Sequence, residues 1–194
     1  MDNFILYNSE RNKTSMNKIF LTLIIVSVFF LTGCLTFHKI SYDVNLEGPK
    51  NGTVTMTIYD IRSDADTDTQ FEEDKNSLFN FILKSDDFLK TMLDEGKNIL
   101  SRELYLENKK LNGKAAFAFN DIKRVEGIVF DEGFYYLTIE VDDSVVSTNG
   151  EVISSKDHKR IIWDKNFKTL KFEMLSSSYE DNGYRELAPF YKPE

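Results

Sequence analysis

The chain has 194 residues and a formal net charge of −8. That length suffices for one domain with a sizeable core, and the acidity argues against a nucleic-acid partner or charge-driven adhesion to anionic lipid. With a single cysteine, no intramolecular disulfide can form. Sixteen Phe and nine Tyr point to an aromatic core or an apolar groove, and composition does not choose between them.

Residues Ile19 to Leu31 form an almost unbroken apolar run, preceded by Lys18 and followed by Thr32, Gly33 and Cys34. This is the charged, apolar and small-residue order of a secretory signal. Leu31-Thr32-Gly33-Cys34 is a lipobox, with Cys34 as the thiol that receives the acyl group. Met1 to Ser15 lie outside this pattern, so translation is expected to start at Met16 and 1–15 to be an over-extended start. The signal peptide is then 16–33.

An uncleaved single-pass helix is the alternative. The thirteen residues of the run span about 20 Å, short of a hydrocarbon core of about 30 Å. Extension through Phe37 gives about 28 Å, so apolar length alone admits a membrane helix. The cleavage motif favours the lipoprotein. Either reading puts the rest of the chain outside the cytoplasm. Several acyl chains on Cys34 would attach the protein to the membrane almost permanently. Leu35 stands where an inner-membrane retention signal would place Asp, which favours the outer membrane if the host has one.

After Cys34, Phe37 to Leu46 and Thr53 to Ile61 alternate apolar and polar residues around a Gly48-to-Gly52 turn, predicting a hairpin. Ser63 to Asp74 reads as an acidic loop. One helical segment is expected over about 74–95, capped by Asp74 or Ser77. Ser85 is a second cap within it, and Gly96 is the stop. Its apolar positions are Leu78, Phe81, Ile82, Leu89, Met92 and Leu93. Ile99 to Glu107 and Lys114 to Asn120 are strands, with Asn112-Gly113 as the turn between them. Asp121 caps a helical turn over Ile122 to Glu126. Phe134 to Val141, Val145 to Ser147, Val152-Ile153, Lys159 to Trp163 and Phe167 to Leu175 complete the strands. The Ser- and Pro-containing stretch 176–194 reads as a partly ordered tail. The fold class is therefore α+β, an antiparallel sheet of hairpins with a helix packed on it, in a single domain over 34–175.

Two stretches carry a family likeness. Leu111-Asn112-Gly113-Lys114 leads into Phe117-Ala118-Phe119 and Asp121-Ile122. Later, Val145-Val146-Ser147-Thr148-Asn149-Gly150 precedes Ile161-Ile162-Trp163. Over about 40–175 this order resembles the LppM-domain lipoproteins. The resemblance implies an α+β envelope domain and carries over no catalytic residues. Asn149, Gly150 and Trp163 are read as a turn and a core anchor rather than ligand contacts.

Candidate chemistry is sparse. Asp64, Asp66 and Asp68 resemble the opening of a calcium loop, but Thr69 and Lys75 occupy the positions where an EF-hand needs Gly and Glu. A looser oxygen cage could use those aspartates with Glu72 or Glu73; a solvated loop is the default. His38 and His158 are too few for zinc once Cys34 is committed to lipid, and no phosphate loop is present. Phe79, Phe81, Phe88 and Phe134-Tyr135-Tyr136 could line a groove, with core packing the plainer reading. No cofactor or metal is expected.

The expectation is a non-enzymatic envelope lipoprotein, held by acyl chains on Cys34, that binds an amphiphile or a partner protein. A structural or assembly subunit and a carboxylate-pair enzyme are the other classes considered. Mass analysis of the unprocessed precursor in its native host should give a chain beginning at Met16; a peptide covering Asn3 to Tyr7 would refute that start.

Overall fold

The computed structural model describes residues 35–141, 143–176 and 183–193. The signal segment, with Leu31, Thr32, Gly33 and Cys34, lies outside the described residues. Among the described residues the architecture is antiparallel α+β, built from two sheets and two α-helices.

Strands β1 (Leu35–Leu46) and β2 (Gly52–Ser63) form the expected hairpin, each 12 residues long. They centre the larger sheet, ordered β3-β4-β2-β1-β10-β7. Here β3 is Lys97–Glu107, β4 Lys110–Phe119, β7 Val145–Thr148 and β10 Thr169–Leu175. The smaller sheet is ordered β5-β6-β9-β8, with β5 Val129–Asp131, β6 Phe134–Ile139, β8 Glu151–Ser154 and β9 Lys159–Asp164.

The smaller sheet packs over the turn end of the β1–β2 hairpin. Tyr42, Val44, Val54, Phe117, Phe119, Leu170 and Phe172 from the larger sheet meet Tyr135, Leu137, Ile161 and Trp163 from the smaller. Ile122, Val125 and Ile128 on the connecting loop close the edge. Phe172 stacks on Tyr42 with ring centroids 4.7 Å apart and touches Trp163 at 6.0 Å, geometries that add to plain apolar burial.

The chain crosses between sheets at Asn149-Gly150, between β7 and β8. Trp163 Nε1 and the Lys171 backbone N–H both donate to Asn149 Oδ1, each at 2.8 Å, and Asn149 Nδ2 donates to the Thr169 carbonyl at 2.9 Å. One side chain thus joins a strand of each sheet while satisfying the buried indole. A Cβ on Gly150 would sit 2.6 Å from Trp163 Nε1 and 2.8 Å from the Ile162 carbonyl oxygen. The close approach of the indole therefore demands glycine there.

Helix α1 spans Asp68–Asn76, earlier than the 74–95 segment predicted. Its cap is Thr67, which with Gln70 forms a capping box. Asp74 is no cap. It is buried in the helix and accepts from Ser63 Oγ at 2.6 Å. A π-helical turn, Ser77–Ile82, follows. Ser85 does start the second helix, α2 (Asp86–Asp94), and Gly96 stops it in a left-handed conformation, φ +81.

The β3–β4 turn also differs from expectation. Asn108 and Lys109 have φ +51 and +66, the primed two-residue turn that suits strand twist. Asn112 and Gly113 lie inside β4, where buried Asn112 Oδ1 accepts from the Asp60 N–H at 2.9 Å. The Asn-Gly pair reads as a turn, but its side chain serves a neighbouring strand.

The C-terminal stretch contributes structure. β11 (Arg185–Glu186) pairs with Arg62 and Ser63 at the end of β2, Leu187 is fully buried, and Tyr191 Oη donates to the Leu104 carbonyl at 2.6 Å. Arg185 lies 3.9 Å over the Phe71 ring and donates to Asp68 at 2.9 Å, tying α1 to the sheet. Gly150→Ala should lower stability by about 1–3 kcal/mol through overpacking against Trp163; chemical denaturation showing no loss would refute the close-approach argument.

Candidate functional site

Helices cover part of the larger sheet. Between those helices and the sheet lies a cavity of about 340 Å³, within the ~300–1,000 Å³ range of small-molecule sites. Its floor includes Met56 and Ile58 from β2, Gly113 and Ala115 from β4, and Ile99 and Leu104 from β3. Leu78, Ile82, Leu83, Phe88 and Met92 form the helical roof, and Leu35, Thr36 and Phe37 contribute from the start of β1.

Three irregularities aim these side chains inward. Asp60 adopts φ +56, a left-handed conformation that Asp tolerates better than most residues. Across it the inward parity of the hairpin shifts, from Tyr42, Met56 and Ile58 to Phe37 and Ile61. Arg62 donates to the Asp60 carboxylate at 3.0 and 3.1 Å, and Lys110 lies 2.9 Å away, so the kink is held by charge. In β3 the register shift between Ile99 and Ser101 does the same, bringing Ile99, Arg102 and Leu104 onto the cavity. The π turn sets Leu83 beneath Leu78, both lining the cavity, and leaves Phe81 exposed.

The lining is apolar with charge at its borders. Arg102 Nη1 donates to the Ile82 and Ser85 carbonyls at 2.8 and 3.1 Å. These acceptors lie where the π turn gives way to α2, so Arg102 ties the break in the roof to β3. Tyr42 Oη donates to Glu126 Oε1 at 2.5 Å. Burial first, and then the Glu126 carboxylate, hold the Tyr42 phenol protonated far above its ordinary range. Lys97, Lys114 and Arg124 also border the cavity. A second groove of about 550 Å³ lies beyond Leu83, Arg102 and Leu104, against Phe190 to Pro193. Its walls are mixed, and its outer side is the chain terminus.

The other sequence candidates lie elsewhere. Asp64, Asp66 and Asp68 are exposed, and Asp68 is paired with Arg185. Among the described residues no group of three or more His, Cys, Asp or Glu converges as a metal cluster. His38 is on β1, and His158 is in the turn before β9. Asn149, Gly150 and Trp163 anchor the core. Of the named aromatics, Phe88 lines the cavity and Phe79 the second groove. Tyr135 is in the core, and Phe81 and Phe134 are exposed. Met56, Ile58 and Ile82 were legible as apolar faces; that those faces leave a gap was not. No helix of the described residues is long and apolar enough to cross a membrane. Comparison with family models, curated proteins and solved structures returned no match.

A buried, protonated Tyr42 gives a pH signature. Its pKa is raised above the unfolded 10.0, so folding stability holds below that pH and declines as pH rises past it. The decline should be shallower in Tyr42→Phe, read by denaturation at a series of alkaline pH values; an unchanged slope would remove Tyr42 from the account.

Proposed function

We propose that the protein is a lipid-anchored envelope protein that binds a single-chain amphiphile in the cavity between helices and sheet, without catalysing a reaction on it. The observation that carries this reading is the cavity itself. The helices and the apolar face of the larger sheet leave room between them for a ligand, where a closed core would have left none. An empty apolar cavity of this size is costly, because its lining atoms forgo contacts that a ligand would restore.

The sequence supports the location. The leader 16–33 is read as a signal helix ending at the lipobox, with acylation at Cys34 and the domain outside the cytoplasm. Leu35 and Phe37, which follow Cys34 in the chain, line the cavity. Acylation at Cys34 would therefore present the cavity beside the bilayer, the source of amphiphiles. The likeness to LppM-domain lipoproteins agrees with such a protein, and the net acidity leaves attachment to the acyl chains rather than to surface charge.

The test is purification from native membranes with mass analysis of bound lipid. Wild type should carry a single-chain amphiphile. Ala115→Trp, which places an indole in the cavity from mid-floor, should carry none while remaining folded by circular dichroism. Cys34→Ser should move to the soluble fraction. Lipid-free wild type, or an undiminished lipid load in Ala115→Trp, would rule out the reading.

A further inference from the structure

The cavity is not uniform along its length. Its floor runs apolar through three rungs of the larger sheet: Ile58 with Gly113, Met56 with Ala115, and Ile99 with Phe117. One rung further, Lys97 pairs with Phe119, and the lining turns cationic. Lys97 is two residues from Ile99 on β3 and so shares its inward face. Lys114 alternates with Gly113 and Ala115, which puts its side chain on the other face of β4.

The loop after β4 brings a second cation to Lys97. Val125 and Ile128 are buried in the core, while Arg124 and Glu126 are exposed and line the cavity. Glu126 and Gly127 are left-handed, φ +50 and +75, and Glu126 is drawn onto Tyr42. Arg124 lies instead against Gly96, where a Cβ would sit 3.3 Å from its Nε. Gly96 immediately precedes Lys97, so both cations stand at one end of the cavity.

Neither cation is committed within the protein. No hydrogen bond or ion pair holds the Arg124 guanidinium among the described residues. Lys97 meets Glu95 at 3.6 Å, with both side chains partly exposed, a kind of pair that is worth little. Neither cation donates to the end of α2, whose Thr91 and Leu93 carbonyls accept from the Glu95 and Gly96 N–H groups. With 32 acidic residues against 24 basic ones in the chain, Arg124 is unpaired by its placement and not by a shortage of carboxylates.

Resting on the amphiphile reading above, we infer that Arg124 and Lys97 bind the anionic head group, a carboxylate or a phosphate, of the single-chain amphiphile. The planar guanidinium presents paired donors to two oxygens of either anion. The Lys97 ammonium exchanges Glu95 for the head group and adds a point charge. Of the acids nearby, Glu126 holds Tyr42, and Glu95 is half exposed to screening solvent. The tail runs inward past Phe117, Met56 and Ile58.

The experiment measures competition of laurate, dodecyl phosphate, dodecanol and dodecyltrimethylammonium against a polarity-sensitive fluorophore. It uses the full chain in a non-ionic detergent at about pH 8, where carboxylates are ionised. Wild type should bind one or both anionic probes about threefold to tenfold tighter than dodecanol, as expected for a solvated charge-assisted contact. Preference for laurate alone identifies a carboxylate, and preference for dodecyl phosphate alone identifies a phosphate. Arg124→Gln should lose most of the preference and Lys97→Gln part of it, with dodecanol binding unchanged in both. Lys123→Gln, which removes a neighbouring exposed cation that does not line the cavity, should leave the preference intact. Four results would each overturn this inference alone: equal binding of the anionic probes and dodecanol by wild type, tighter binding of the cationic probe, a preference that survives in the Lys97→Gln/Arg124→Gln double variant, or an equal loss in Lys123→Gln. Binding of none of the four probes overturns the amphiphile reading with it.

Discussion

The length of the β1–β2 hairpin governs the rest of the structure. Each strand has 12 residues, about 40 Å at ~3.3 Å per residue. The longest strands of the smaller sheet, β6 and β9, have 6, about 20 Å. Helix α2 has 9, about 13 Å. Neither cover can bury the hairpin face alone, so the apolar face is shared between a sheet at the turn end and helices at the other. The cavity lies under the helical cover, lined by the larger sheet, the helices and the loop at Arg124 and Glu126.

Several contacts hold the cavity's walls in place. Asp60, Arg62, Lys110 and Asn112 fix the kink of the hairpin. Arg102 pins the helix break to β3. Tyr42 ties the sheet to the loop at Glu126, and Arg185, Leu187 and Tyr191 fasten the far side. The sandwich core has a further tie in Asn149, Gly150 and Trp163. Tyr42 and Phe117 belong to both the core and the cavity wall, so the two are joined through them.

Strand alternation and local turn chemistry made much of the fold legible. The β1–β2 hairpin, Ser85 as a cap, Gly96 as a stop and the Asp121 turn all follow from neighbours within a few residues. Errors arose where a local rule was overridden at a distance. Asn112-Gly113 became strand because Asn112 serves Asp60 across the sheet. Thr67 took the capping role from Asp74 because Gln70 completed its box, while Asp74 went to Ser63. In the tail, Leu187 is buried just after β11 pairs with the end of β2, and Tyr191 donates to the Leu104 carbonyl of β3, contacts made far along the chain.

By itself, the amino-acid order determined the antiparallel α+β class and the amphipathic faces, because periodicity and caps act between near neighbours. It also carried the lipobox expectation at Cys34, a linear motif that needs no fold to be read. Only the tertiary structure decided that the strands divide into two sheets, that the tail returns to β2, and that an apolar cavity opens between the helices and the larger sheet. A cavity is a failure of two surfaces to meet. Which surfaces meet depends on the kink at Asp60, the register shift in β3 and the π turn together, and no single stretch of sequence contains all three.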